Sequence, residues 1–94
     1  MGKLLIFSKY IFLIYGVDIF EIRKHIHVTH ARKGYKKSCK FWLEPSIELD
    51  ANKGGDFTTR ELAEIQKLII ENKDLILKQL ELFFSHQQVK AIRL

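Results

Sequence analysis

His25-Ile26-His27-Val28-Thr29-His30-Ala31-Arg32-Lys33-Gly34-Tyr35-Lys36-Lys37-Ser38-Cys39-Lys40-Phe41-Trp42-Leu43 reads as two β-strands joined by a turn. Successive side chains on a strand point to opposite faces, so Ile26 and Val28 share one side while His25, His27 and Thr29 share the other. His30 alternates away from His25 and His27. Arg32, Lys33 and Gly34 supply turn chemistry, since a glycine takes positive φ without steric cost. On the return strand, residues 36–43, Cys39, Phe41 and Leu43 fall on one face and Lys40 and Trp42 on the other. A register that joins like faces places Trp42 and Lys40 on the surface that carries His25 and His27, with the basic turn at one end.

Toward the N-terminus, Lys3 followed by the apolar residues 4–15 has the outline of a secretion signal. Ser8, Lys9 and Tyr10 interrupt the run, no small-x-small cleavage pattern follows, and the apolar stretch is shorter than the roughly 20 residues that span a bilayer. Residues 4–7 and 11–15, rich in β-branched and aromatic side chains, are instead expected to form a second hairpin about Ser8 and Lys9.

Downstream, Pro45 has no N–H for a ladder and marks a strand end before a short strand at residues 47–49. Asn52-Lys53-Gly54-Gly55-Asp56 is a loop, after which the apolar period changes from two to about 3.6. Thr58-Thr59-Arg60-Glu61 fits a capping box, with Phe57 placed to staple against Leu62. Leu62, Ile65, Ile69, Ile76, Leu80 and Phe83 then form a core stripe, opposite the solvated Glu64, Lys67, Glu71, Asp74, Lys78 and Glu81. One helix over residues 58–85 would be about 42 Å long, far beyond a domain whose radius of gyration should be about 12 Å. Asn72 is the expected break and N-cap of a second helix, giving helices at 58–71 and 73–86 and a frayed tail at 87–94. The predicted fold is a single α+β domain: a small antiparallel sheet of four to five strands over residues 4–50, built from two hairpins, followed by two C-terminal helices or one helix broken near Asn72.

Ninety-four residues at 47% hydrophobic composition suffice for one core and exclude a second domain. The single cysteine, Cys39, cannot form an internal disulfide, so a reducing cytoplasm is the expected compartment. Its alternation with Phe41 and Leu43 marks it as a buried, inert thiol. The charge is polarised: residues 1–43 hold nine Lys and Arg against two acids, a net of +7, whereas residues 44–94 hold seven against nine, a net of −2. No acid occurs from Ile22 to Leu43.

The succession His25-Ile26-His27-Val28, Lys36-Lys37, Lys40-Phe41-Trp42-Leu43-Glu44-Pro45, Ile47-Glu48-Leu49, Asn52-Lys53-Gly54, Glu61-Leu62 and Glu71-Asn72-Lys73 resembles the bacterial family called domain of unknown function 4160. The resemblance covers about residues 11–84, and the order and spacing of its short motifs together are specific. It implies a small β-rich domain with C-terminal helices, and a place as one component of a toxin–antitoxin-like pair. The family commonly carries two prolines before its His-x-His strand. Here Arg23 and Lys24 stand there, so the entry to the strand is less stiff, and two added positive charges disfavour a cation beside the imidazoles.

Three classes of function follow. The first is a binding module for nucleic acid or an acidic cognate protein, whose surface would be Arg23, Lys24, His25, His27, Arg32, Lys33, Lys36, Lys37, Lys40 and Trp42: phosphates are drawn to Lys and Arg whatever the sequence, and an exposed aromatic stacks a base. Against it stands a solubilising basic turn beside a half-buried Trp42. The second is a metal-dependent activity in which His25 and His27 ligate an ion such as Zn²⁺, which would need a third ligand from Glu21, Glu44, Glu48 or Asp50; against it, paired surface histidines are ordinary strand residues. The third is a structural module that forms a homodimer through Leu68, Leu75, Leu77 and Phe84, should the helix stripe exceed what the sheet covers. No nucleophile elbow surrounds Ser8, Ser38, Ser46 or Ser85, and Gly54-Gly55 is a turn rather than a phosphate cradle. The residues therefore lean away from an enzyme and require no cofactor, and nothing in them calls for a membrane.

Overall fold

The computed structural model describes residues 2–16, 23–32, 34–50 and 57–94, and the side chains of 34–37 lie outside that description. So do the loop expected at 52–56 and the candidates Glu21 and Lys33. The elements are β1 (Gly2–Ile6), β2 (Tyr10–Ile14), β3 (His25–His30), β4 (Gly34–Trp42), β5 (Glu48–Leu49), α1 (Thr59–Glu71), α2 (Lys73–Phe84) and β6 (Ile92–Arg93). They form an α+β domain with a radius of gyration of 12.1 Å.

Both expected hairpins are present. In the first, Ile6 faces Ile11 and Lys3 faces Leu13, with a bulge at Leu4, and the Phe7 amide closes the turn on the Tyr10 carbonyl at 2.8 Å. In the second, His25 faces Trp42, Ile26 faces Phe41, His27 faces Lys40 and Val28 faces Cys39. Like faces do meet, because a slip of one residue would set Ile26 and Val28 opposite charged and polar side chains. The sheet order is β5-β4-β3-β2-β1-β6.

The helices cover the face that carries Tyr10, Phe12, Ile14, Ile26, Val28, Cys39 and Phe41, which pack with Ile65 and Ile69 of α1 and Ile76 and Leu80 of α2. Burial pushes the Cys39 thiol up to about 12, so it is inert near neutral pH. Thr58 and Glu61 make the capping box: the Glu61 amide donates to Thr58 Oγ1 at 3.1 Å and the Thr58 amide to Glu61 Oε1 at 3.0 Å. The helix breaks at Asn72, which is the N-cap residue of α2 as expected, its carbonyl accepting the Ile76 amide at 2.9 Å, but the cap is made by the backbone alone. Asn72 makes no side-chain cap for α2 and instead donates Nδ2–H back to the Leu68 carbonyl at 2.8 Å, so it satisfies the end of α1.

Two expectations are corrected at the C-terminus. Among the described residues the sheet has six strands and is mixed, because β6 lies parallel to β1, with Leu5 facing Ile92 and Ile6 facing Arg93. Residues 92–94 are therefore not a frayed tail, and the Leu94 amide donates to the Ile6 carbonyl at 2.9 Å. The chain turns back after α2 through His86 at φ 58, with Gln87 N–H bonded to Leu82 O at 3.0 Å and His86 N–H to Phe83 O at 3.1 Å. This is a Schellman ending in which histidine occupies the glycine position. Among the described residues, no helix is long and apolar enough to cross a membrane.

Candidate anion interface

The sheet face turned away from the helices carries His25, His27 and Thr29 of β3 beside Lys40 and Trp42 of β4, with Leu13 of β2 facing His27. Rings run in edge-to-face contact across it: Tyr15 to His27 at 4.8 Å, His27 to His25 at 5.3 Å, and His25 to Trp42 at 5.5 Å. The Arg23 guanidinium lies 4.4 Å and the Lys40 ammonium 4.3 Å from the centre of the Trp42 ring. Such contacts strengthen as the cation loses water. Lys40 is only 7% exposed and His25 2%, whereas His27 and Trp42 are half-buried. Arg23 is further held by its Nε–H donated to the Glu44 carbonyl at 2.6 Å and by Glu48 at 3.8 Å. Lys24 is exposed and 4.0 Å from Glu44.

This end of the sheet is a packed cation–aromatic cluster. A base could stack on Trp42 only by displacing cations already resting against it. The cluster does not gather a metal set either: among the described residues, no group of three or more His, Cys, Asp or Glu is arranged to hold an ion. His25 Nδ1 lies 3.0 Å from the Arg23 carbonyl, an acceptor, which places the ring proton on Nδ1. Glu44 and Glu48 face Lys24 and Arg23.

Arg32 sits at the other end of β3, about 17 Å away at roughly 3.4 Å per residue. In a meander the β1–β2 and β3–β4 turns emerge at the same end of the sheet. Here they touch, the Ala31 amide donating to the Lys9 carbonyl at 2.9 Å. Ser8, Lys9, His30 and Arg32 thereby line one cleft of about 280 Å³. The Arg32 amide donates to His30 Nδ1 at 3.1 Å, which puts the neutral ring's proton on Nε2 and ties the buried ring to the turn. Lys9 Nζ is 3.4 Å from Glu64 Oε2, which also accepts the Tyr10 hydroxyl at 2.8 Å. The hydrogen bond from Tyr10, joined by Lys9 and Arg60, holds the Glu64 carboxyl below the usual range despite some desolvation.

Of the residues expected at the site, Arg23, His25, His27, Lys40 and Trp42 are thus brought together, Lys24 stands beside them, and Arg32 is separate. Lys36 and Lys37 lie on β4 next to the Arg32 turn, and Lys33 falls within it in sequence. Sequence reasoning passed over Ser8, Lys9 and His30. The signal was present in the hairpin order, since consecutive hairpins of a meander put alternate turns side by side.

The helix residues expected to await a partner, Leu68, Leu75, Leu77 and Phe84, are all partly buried against the core. Leu77 and Phe84 also line a groove of about 510 Å³ beside Lys24.

In comparison with known proteins, residues 10–81 match the family described as Domain of unknown function (DUF4160). No curated protein and no solved structure matches the sequence.

Proposed function

We propose, for a chain that belongs to the DUF4160 family, that the domain binds an anionic macromolecule, nucleic acid before an acidic protein, through the sheet end where its two hairpin turns meet. The observation that carries this reading is the contact between those turns, which sets Lys9 beside Arg32. The neighbouring sequence adds Lys33, Lys36 and Lys37, with no acid between Ile22 and Leu43. Positive charge concentrated at one end draws phosphates independently of base sequence and speeds encounter. Lys40 and Arg23 contribute less, because both are engaged with Trp42. The same binding end suits one component of a toxin–antitoxin-like pair acting in the cytoplasm. The metal-dependent reading has weaker support, because two of the carboxylates that would complete a set with His25 and His27, Glu44 and Glu48, face cations instead.

Fluorescence anisotropy with short labelled RNA and DNA, repeated across salt concentrations, tests the proposal. The expected result is binding at about 50 mM salt that weakens steeply toward about 200 mM. Exchanging Arg32→Glu should weaken it at least tenfold and flatten the salt slope by about one unit. Absence of binding at low salt would overturn the nucleic-acid reading.

A further inference from the structure

The cleft between the hairpin turns has a more specific shape and charge than a basic surface requires. Two cationic residues from different hairpins, Lys9 and Arg32, line a volume of about 280 Å³ together with Ser8, and the Lys9 ammonium also lies 3.4 Å from Glu64. That volume equals about nine waters at roughly 30 Å³ each, enough for one phosphate group with part of its hydration. His30, 8% exposed, forms the wall, and its hydrogen bond to the Arg32 amide keeps the turn in place. Glu64 does not line the cleft, and it is shared among Lys9, Tyr10 and Arg60, whose Nε lies 3.8 Å away. A bound phosphate would therefore draw the Lys9 ammonium away from Glu64, to which Arg60 remains as a partner.

A cleft lined by two cationic residues suits a dianion better than a monoanion. A phosphate monoester carries about −1.5 to −2 charges near neutral pH and three terminal oxygens, whereas an internal phosphodiester carries one charge and two free oxygens. Arginine offers a planar fork that grips two oxygens, and lysine supplies a compact point charge. We infer that this cleft is a receptor for a terminal phosphate monoester, the phosphorylated end of a nucleic-acid strand, held by Lys9, Arg32 and Ser8. The inference rests on the nucleic-acid reading above and gives it a polarity: the strand end docks between the turns, and the following backbone runs along the basic residues that continue into β4.

The test compares single-stranded oligonucleotides of one sequence carrying either a 5′-phosphate or a 5′-hydroxyl, with a 3′-phosphorylated strand as a third arm. The full chain should bind one phosphorylated end about tenfold more tightly than the hydroxyl end. Arg32→Ala and Lys9→Ala should each abolish that preference, and Ser8→Ala should reduce it. Lys67→Ala, an exposed lysine on α1 paired with Glu71, should leave the preference intact, and far-UV circular dichroism verifies that every variant is folded. Inorganic phosphate should shift the amide resonances of Ser8, Lys9 and Arg32 before others. Equal affinity for all three ends, with salt-dependent binding retained, overturns the terminal-phosphate receptor while leaving the general reading standing. Failure to bind any strand overturns both.

Discussion

Tyr10 is 2% exposed, yet its hydroxyl reaches across to α1 and donates to Glu64 at 2.8 Å. Burial first, and then the neighbouring carboxylate, push the Tyr10 phenol well above its ordinary range, while the same hydrogen bond holds Glu64 low. The two ends of the pH scale respond oppositely. Glu64 is depressed in the folded state, so its stabilisation is present above the unfolded value of about 4.3 and fades as pH falls through the folded one. Tyr10 is raised, so its contribution is present below about 10 and fades as pH rises beyond that. Tyr10→Phe should move the Glu64 midpoint upward toward about 4.3 in a carboxyl NMR titration and blunt the alkaline loss of stability in urea melts. An unmoved Glu64 midpoint would show that Lys9 and Arg60 alone set it. In the sequence Tyr10 is only an interruption in an apolar run. Its partner lies 54 positions away, and no local pattern joins them.

Each helix end carries its own chemistry, and the legible ends are those with familiar residues. Thr58 and Glu61 announce their capping box because both side chains stand at fixed spacing. Asn72 announces a break, but its side chain bonds backward to Leu68 rather than forward into α2, a choice that composition does not encode. The end of α2 was hidden because His86, not glycine, adopts φ 58 there. A β-carbon in that conformation costs roughly 1 kcal/mol. His86→Gly is therefore expected to stabilise the domain by up to about 0.5 kcal/mol, once the extra entropy of glycine in the unfolded chain is subtracted. Urea denaturation measures this directly, and a destabilised variant would mean that the His86 side chain makes a compensating contact.

The whole molecule is closed by one buried amide. Gln79 of α2, 5% exposed, donates Nε2–H to the Leu4 carbonyl at 3.1 Å and to the Lys90 carbonyl at 2.8 Å. Leu4 stands at the bulge in β1, so Gln79 joins helix, sheet and returning chain at one point. Gln79→Ala should cost about 1–3 kcal/mol, because a buried carbonyl is left unsatisfied. It should also release β6, seen as faster hydrogen exchange at the Leu94 amide; unchanged exchange there would mean that ladder pairing alone holds the strand. What the sequence by itself determined is periodic and local: two hairpins, their inward faces, the shared face of His25, His27, Lys40 and Trp42, the capping box and the break at Asn72. Alternation and capping act between residues a few positions apart, where covalent geometry dictates who can meet. Only the tertiary structure decided that β6 joins β1, that Glu64 meets Tyr10, that Lys40 is buried against Trp42, and that Lys9 stands beside Arg32. Those neighbours come from separate hairpins, helices and a terminal strand, and they are selected by how the sheet and helices close over one core rather than by the propensity of any segment.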